Sequence, residues 1–176
     1  PYAQSPIDAR ERVVLPIAAP RDLVNKAVPG SIAHVSGGNV AMIWLQDRQT
    51  TERIAKALSD DSVKLGIQDI YYGARLALTL NTPATDSRMP DIILQLRAGV
   101  SWAPPNEHAL MFYGGMLDQD THVALMISGA QLTGRADPTY VPTTQLAPLL
   151  LRALGMEKFD LRALHLEHSP ALPGIF

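Results

Sequence analysis

A chain of 176 residues, 47% hydrophobic and 18% charged, is long enough to build one domain around a real core and too apolar to be disordered. A net charge of -2 without any basic run excludes a general nucleic-acid footprint, and no apolar stretch approaches the length of a membrane span. With no cysteine there is no disulfide, thiolate metal site or cysteine nucleophile, and the redox compartment is left open.

The chain starts at Pro1 without Met, which reads as processed or truncated. Its first residues are loop-like, and Asp8 is placed to cap a charged turn running to Arg12. Pro16, Pro20, Pro29 and Gly30 break up the next stretch and leave room for a short helix over 21–27. Residues 33–36 read as a strand end before the Gly37-Gly38 turn, and 40–45 as an apolar strand. Thr50 or Thr51 is expected to cap a helix with Ile54, Ala55 and Leu58 on one face, ended by Asp60-Asp61-Ser62. Residues 67–80 are ambiguous between helix and strand until Asn81-Thr82-Pro83 stops them.

A buried strand is expected over 91–96, with 99–102 as its hairpin or continuation before Pro104-Pro105. The run 123–127 is apolar, too short for a typical helix and closed by Ser128-Gly129, so it reads as a buried central strand. Thr143 or Thr144 then starts a helix to about Leu154, with Leu146, Leu149, Leu150 and Ala153 as its apolar face and Gly155 closing it. Asp160 caps a last turn, and Pro170 and Pro173 leave the end extended. Strands alternating with helices give one α/β domain over 1–176, a mixed sheet flanked by helices.

Chemistry-bearing residues are few. Asp118, Asp120 and His122 are spaced by two, so in a strand all three would share a side and could meet a zinc- or manganese-type ion. Spacing alone favours the plainer reading of a polar turn leading into a strand. His165 and His168 read as a solvated terminus, Glu107-His108 as a loop tip, and His34 has no acidic neighbour in sequence. Gly37-Gly38 lacks the Lys and spacing of a phosphate-cradling loop, and no G-x-S-x-G elbow is present.

Five ordered blocks go further. They are Gln4-Ser5-Pro6-Ile7-Asp8, Ile43-Trp44-Leu45-Gln46-Asp47, Arg88-Met89-Pro90-Asp91-Ile92, Tyr113-Gly114-Gly115 through Leu125, and Thr143-Thr144-Gln145-Leu146-Ala147-Pro148. Together they resemble the C-terminal half of the type I phosphodiesterase/nucleotide pyrophosphatase-like proteins of the alkaline phosphatase superfamily. The resemblance implies an alkaline-phosphatase-like half-core and a secreted protein. It also implies an ancestral chemistry of two divalent metals, usually zinc, with a Ser or Thr nucleophile attacking phosphorus. Against that pattern Tyr2 stands where the family has a metal-ligand His and Ala3 where it has Gly; Tyr113 replaces a second His and Phe112 an acidic residue. The family's nucleophile falls before this chain's start.

A phenol binds such metals well only when deprotonated, from a pKa near ~10. Two-metal phosphoryl transfer is therefore not expected, and no cofactor is required. The former cleft becomes suited to a small aromatic or pigment-like molecule, held by Tyr2, Trp102, Phe112, Tyr113 and His122. The alternatives are a hydrolase fragment completed by a missing N-terminal segment, which would use zinc, and a structural or storage protein without ligand. Half a core also leaves sheet edges uncovered, so a rearranged compact fold or a homodimer is expected.

Overall fold

The computed structural model describes residues 13–78, 80–104, 114–129, 134, 136–156, 166 and 172. The fold is mixed α/β, with an antiparallel four-stranded sheet and a parallel two-stranded sheet flanked by helices. The chain groups into two compact units, Pro1–Ala124 and Leu125–Phe176.

The first unit is built around β5 (Ile92–Leu96), whose five residues are all buried. It is covered on both faces, which is why its sequence does not alternate. β3 (Val40–Leu45) does alternate, with Ala41, Ile43 and Leu45 buried and Val40, Met42 and Trp44 half-buried. β2 (Ile32–Ser36) and β4 (Ile67–Tyr72) complete the sheet in the order β2-β3-β5-β4, so β2 and β4 are its edges. Helices α1 (Ala18–Ala27) and α2 (Thr51–Asp60) supply Val24, Ile54, Ala55 and Leu58 to the core, against Ile43, Ile92, Leu94 and Leu96. Each fully buried aliphatic side chain contributes roughly 1.5–3 kcal/mol.

Local differences from the sequence reading have local causes. The helix placed over 21–27 starts earlier, at Ala18, because Pro20 is compatible with a first turn, where no intrahelical N–H is needed. Thr50 sits at the N-cap position of α2 but makes no side-chain capping hydrogen bond. A 3₁₀ turn (Arg48–Thr50) precedes the helix, and Asp47 caps that turn by accepting from the Gln49 N–H at 2.9 Å. The threonine hydroxyls donate back, to the Asp47 and Arg48 carbonyls. The ambiguous stretch 67–80 is both things in turn: β4, then helix α3 (Gly73–Ala77). Asp91, almost fully buried, ties strand ends together: its Oδ2 accepts from the Leu45 N–H at 2.8 Å while Oδ1 lies 3.3 Å from Arg48 Nε.

β6 (Val100–Ala103) forms no hairpin with β5. It pairs in parallel with β1 (Val13–Pro16), a partner from the far end of the unit that no local pattern announces. The turn at 37–38 leans on this strand: Gly38 and Trp102 exchange backbone hydrogen bonds of 2.8 and 2.9 Å. A Cβ on Gly37 would come within 2.5 Å of the Trp102 carbonyl oxygen, so only glycine fits there.

The run 123–127 is not a buried strand. Residues 122–129 have no regular structure, Leu125 is 46% and Met126 90% exposed, and no backbone hydrogen bond joins 123–129 to another described residue. A strand exists only with a neighbour, and among the described residues the sheet ends at β2 and β4 without taking this run in.

In the second unit a 3₁₀ turn (Thr143–Gln145) leads into α5 (Leu146–Ala153). Its buried side is Pro148, Leu149 and Leu151, while Leu150, expected inside, is exposed. Past the helix end, Met156 N–H donates to the Leu151 carbonyl at 2.9 Å across Gly155, as the closing glycine predicts. The turns expected at Asp8 and Asp160 and the extended end at Pro170 and Pro173 lie outside the described residues.

Candidate functional site

Directly opposed residues of a sheet share a face, so the strand registers sort the side chains. On one face lie Ile43, Leu45, Ile92, Leu94 and Leu96, packed into the core with α1 and α2. On the other lie His34 and Ser36 of β2, Val40, Met42 and Trp44 of β3, Ile93 and Gln95 of β5, and Asp69 and Tyr71 of β4. His34 is exposed, and Met42, Trp44 and Tyr71 are half-buried. Their rings are already engaged: the His34 and Trp44 centroids are 5.3 Å apart, tilted by 53°, and the Trp44 indole N–H donates to the Arg88 carbonyl at 3.0 Å. The Arg75 guanidinium lies 4.5 Å above the Tyr71 ring and pairs with Asp69 at 2.7 Å. That carboxylate raises the Arg75 pKa.

Gln95 is the polar centre of this face. It is 1% exposed, yet its amide is fully used. Nε2 donates to the Leu96 carbonyl at 2.7 Å, and Oε1 accepts from the Met116 N–H at 2.7 Å. Asn39 adds a second anchor, donating from Nδ2 to the Gly114 carbonyl. Two amide side chains thus fix residues 114–116 at the end of β5. Gly115, at φ 142°, lies against the Asp120 carboxylate, and a Cβ there would overlap it.

Asp118 and Asp120 belong to a helical turn, α4 (Asp118–Thr121), not to a strand, so spacing by two no longer aligns Asp118, Asp120 and His122. His122 Nδ1 lies 3.0 Å from the Asp118 backbone carbonyl, so it faces main chain and not the carboxylate. Asp120 turns toward Gly115, where its Oδ2 is buried without a hydrogen-bond partner among the described residues and desolvation raises its pKa. Zinc, the metal the resemblance implies, does not fit these three: among the described residues no group of three His, Asp or Glu could hold a metal ion.

Trp102 is wholly buried in the core, its indole N–H donated to the Leu65 carbonyl at 2.9 Å, so it presents no surface to a ligand. Tyr2, Phe112 and Tyr113, like His108, His165 and His168, lie outside the described residues. The sequence reading overlooked Met42, Trp44, Tyr71 and Gln95. A signal for the first two was present: the alternation of residues 40–45 is apolar at both parities, which marks a strand with two covered or half-covered faces. A separate groove of about 880 Å³ runs between α2 and β4, lined by charged groups including Arg53, Lys56, Asp60 and Asp69, and holds none of the expected site residues.

No family model, curated protein or solved structure matches the chain.

Proposed function

We propose that the protein is a non-catalytic relative of the type I phosphodiesterases that binds a small aromatic or pigment-like organic molecule. The observation carrying this reading is the double anchoring of residues 114–116, through Gln95 and Asn39, beside the sheet face bearing Met42, Trp44 and Tyr71. Tyr113 and Phe112 precede that anchored segment directly in sequence. Aromatic and thioether groups half-exposed on a rigid sheet offer flat contact area at small entropic cost. The ion pairs of the face are internally matched, Arg75 with Asp69 and Arg88 with Asp86. A neutral or weakly charged planar ligand suits such a face better than a phosphate does. Purified from its natural source, the protein is expected to absorb above the aromatic band and to release a small organic molecule in denaturing mass spectrometry. A colourless preparation with the bare-chain mass in native mass spectrometry would remove the reading.

One observation favours a second reading, the hydrolase fragment completed by another segment. Residues 123–127 are apolar, Ala124, Leu125 and Met126 are exposed, and the run pairs with no strand among the described residues, the state of a strand whose sheet is supplied from elsewhere. Stoichiometric zinc and turnover of a nitrophenyl phosphodiester, appearing only after addition of an N-terminal segment, would establish it.

A further inference from the structure

We infer that the groove between α2 and β4 is a second binding site, and that it takes a short zwitterionic peptide of dipeptide size. Its volume of about 880 Å³ falls within the range of roughly 300–1,000 Å³ usual for small-molecule pockets. Part of its lining is apolar or aromatic: Ile67, Ile70 and Tyr72 of β4, with Ala55 of α2. Ile70 and Tyr72 lie opposite Leu94 and Ile92, on the sheet face packed against the core. Six charged side chains complete the lining, three of each sign. The occupant follows from which of them are left over.

Four of the six neutralise one another. Lys56 Nζ donates to both oxygens of Asp60, at 2.9 and 2.8 Å, and Arg75 pairs with Asp69 at 2.7 Å. Glu52 and Arg53 have no ion-pair partner among the described residues. Lys56, four residues after Glu52 and its natural helical partner, is committed to Asp60. Glu52 and Arg53 do not neutralise each other, because successive residues of a helix point about 100° apart. The groove therefore keeps one anionic and one cationic group for a ligand. A simple anion or cation leaves one of them unmatched, whereas a molecule carrying an ammonium and a carboxylate answers both. Because the two side chains diverge, charges at opposite ends of a dipeptide suit them better than charges on one carbon. Arg53 can take the carboxylate through two parallel hydrogen bonds and Glu52 the ammonium, with apolar side chains over Ile70 and Tyr72. The inference does not rest on the aromatic-ligand reading, since Met42, Trp44 and Gln95 belong to the other face of the sheet.

Calorimetric titration of the full chain with leucyl-phenylalanine tests it. The dipeptide should bind, and its N-acetylated and C-amidated forms should each bind at least about tenfold more weakly, the loss of one charge-assisted contact. Free phenylalanine should also bind more weakly than the dipeptide. Glu52→Gln should abolish the preference for the free over the acetylated peptide. Arg53→Gln should abolish the preference for the free over the amidated one. Both positions are exposed, and circular dichroism checks that the variants fold. No binding at millimolar peptide, affinity indifferent to acetylation or amidation, tighter binding of phenylalanine, or preferences unchanged in both variants would each overturn the proposal.

Discussion

Asp120 shows what a single residue can contribute beyond its place in a motif. Its pKa is raised above 3.8, first by desolvation, against a smaller opposing effect of a backbone hydrogen bond at Leu117. In the window between 3.8 and the raised value the folded chain holds more protons than the unfolded one. Stability therefore falls as pH rises through that window. Asp120→Asn should remove the effect: the variant should be more stable than the parent at neutral pH, with the gap closing toward the acid side. Urea unfolding at neutral and mildly acidic pH measures it, and a variant less stable at neutral pH would mean that the ionised carboxylate is bonded after all. Asp86 acts in the opposite sense, held down to about 2 by Arg88, so its contribution is present above 3.8 and lost as pH falls through about 2. The two are separable because the Asp86 loss lies below the Asp120 window. The sequence made Asp120 visible as a polar residue near a glycine pair. It hid Gln95, whose partners Met116 and Asn39 are remote along the chain, so no spacing could mark it.

Elements were legible where their hydrophobic period is self-sufficient. α2, β3 and β5 each declare their buried positions in a few consecutive residues, and each is found close to where those residues put it. The pairing of β1 with β6 was not legible, because register between distant strands is a tertiary choice that neither strand encodes alone. That pairing brings Trp102 into the core, whereas Trp44, one element away in kind, stays half-exposed on the opposite sheet face. The contrast can be measured, since these are the only two tryptophans. Trp44→Phe should leave an emission that is blue-shifted and resistant to acrylamide. Trp102→Phe should leave one that is accessible, and should also cost about 1–3 kcal/mol in stability by orphaning the Leu65 carbonyl. Equal quenching of the two single-tryptophan variants would show that Trp44 is covered, and would take the support from the proposed ligand-binding face.

For the molecule as a whole, the informative feature is the run 123–127, which the sequence marks as strand and the fold leaves outside. Apolar residues with β-branched ends, no charge and no Pro are the composition of a sheet interior, and exposing them costs solubility. Sequence reading assumed that a buried-type strand finds its sheet within the chain; the edges at β2 and β4 show the described sheet closing without it. Met126 and Leu125 can therefore carry charge at little expense to the folded state. Met126→Lys and Leu125→Lys should each shift stability by no more than about 0.5 kcal/mol, as for ordinary surface positions, while reducing scattering on heating. Calorimetry with parallel light scattering reads both effects. A destabilisation above about 2 kcal/mol would instead mean a packed run, as large losses come from buried sites. The same variants bear on the choice of function. A protein that binds its ligand beside Gln95 should keep that ligand when position 126 is charged, whereas a fragment completed through this run should lose completion.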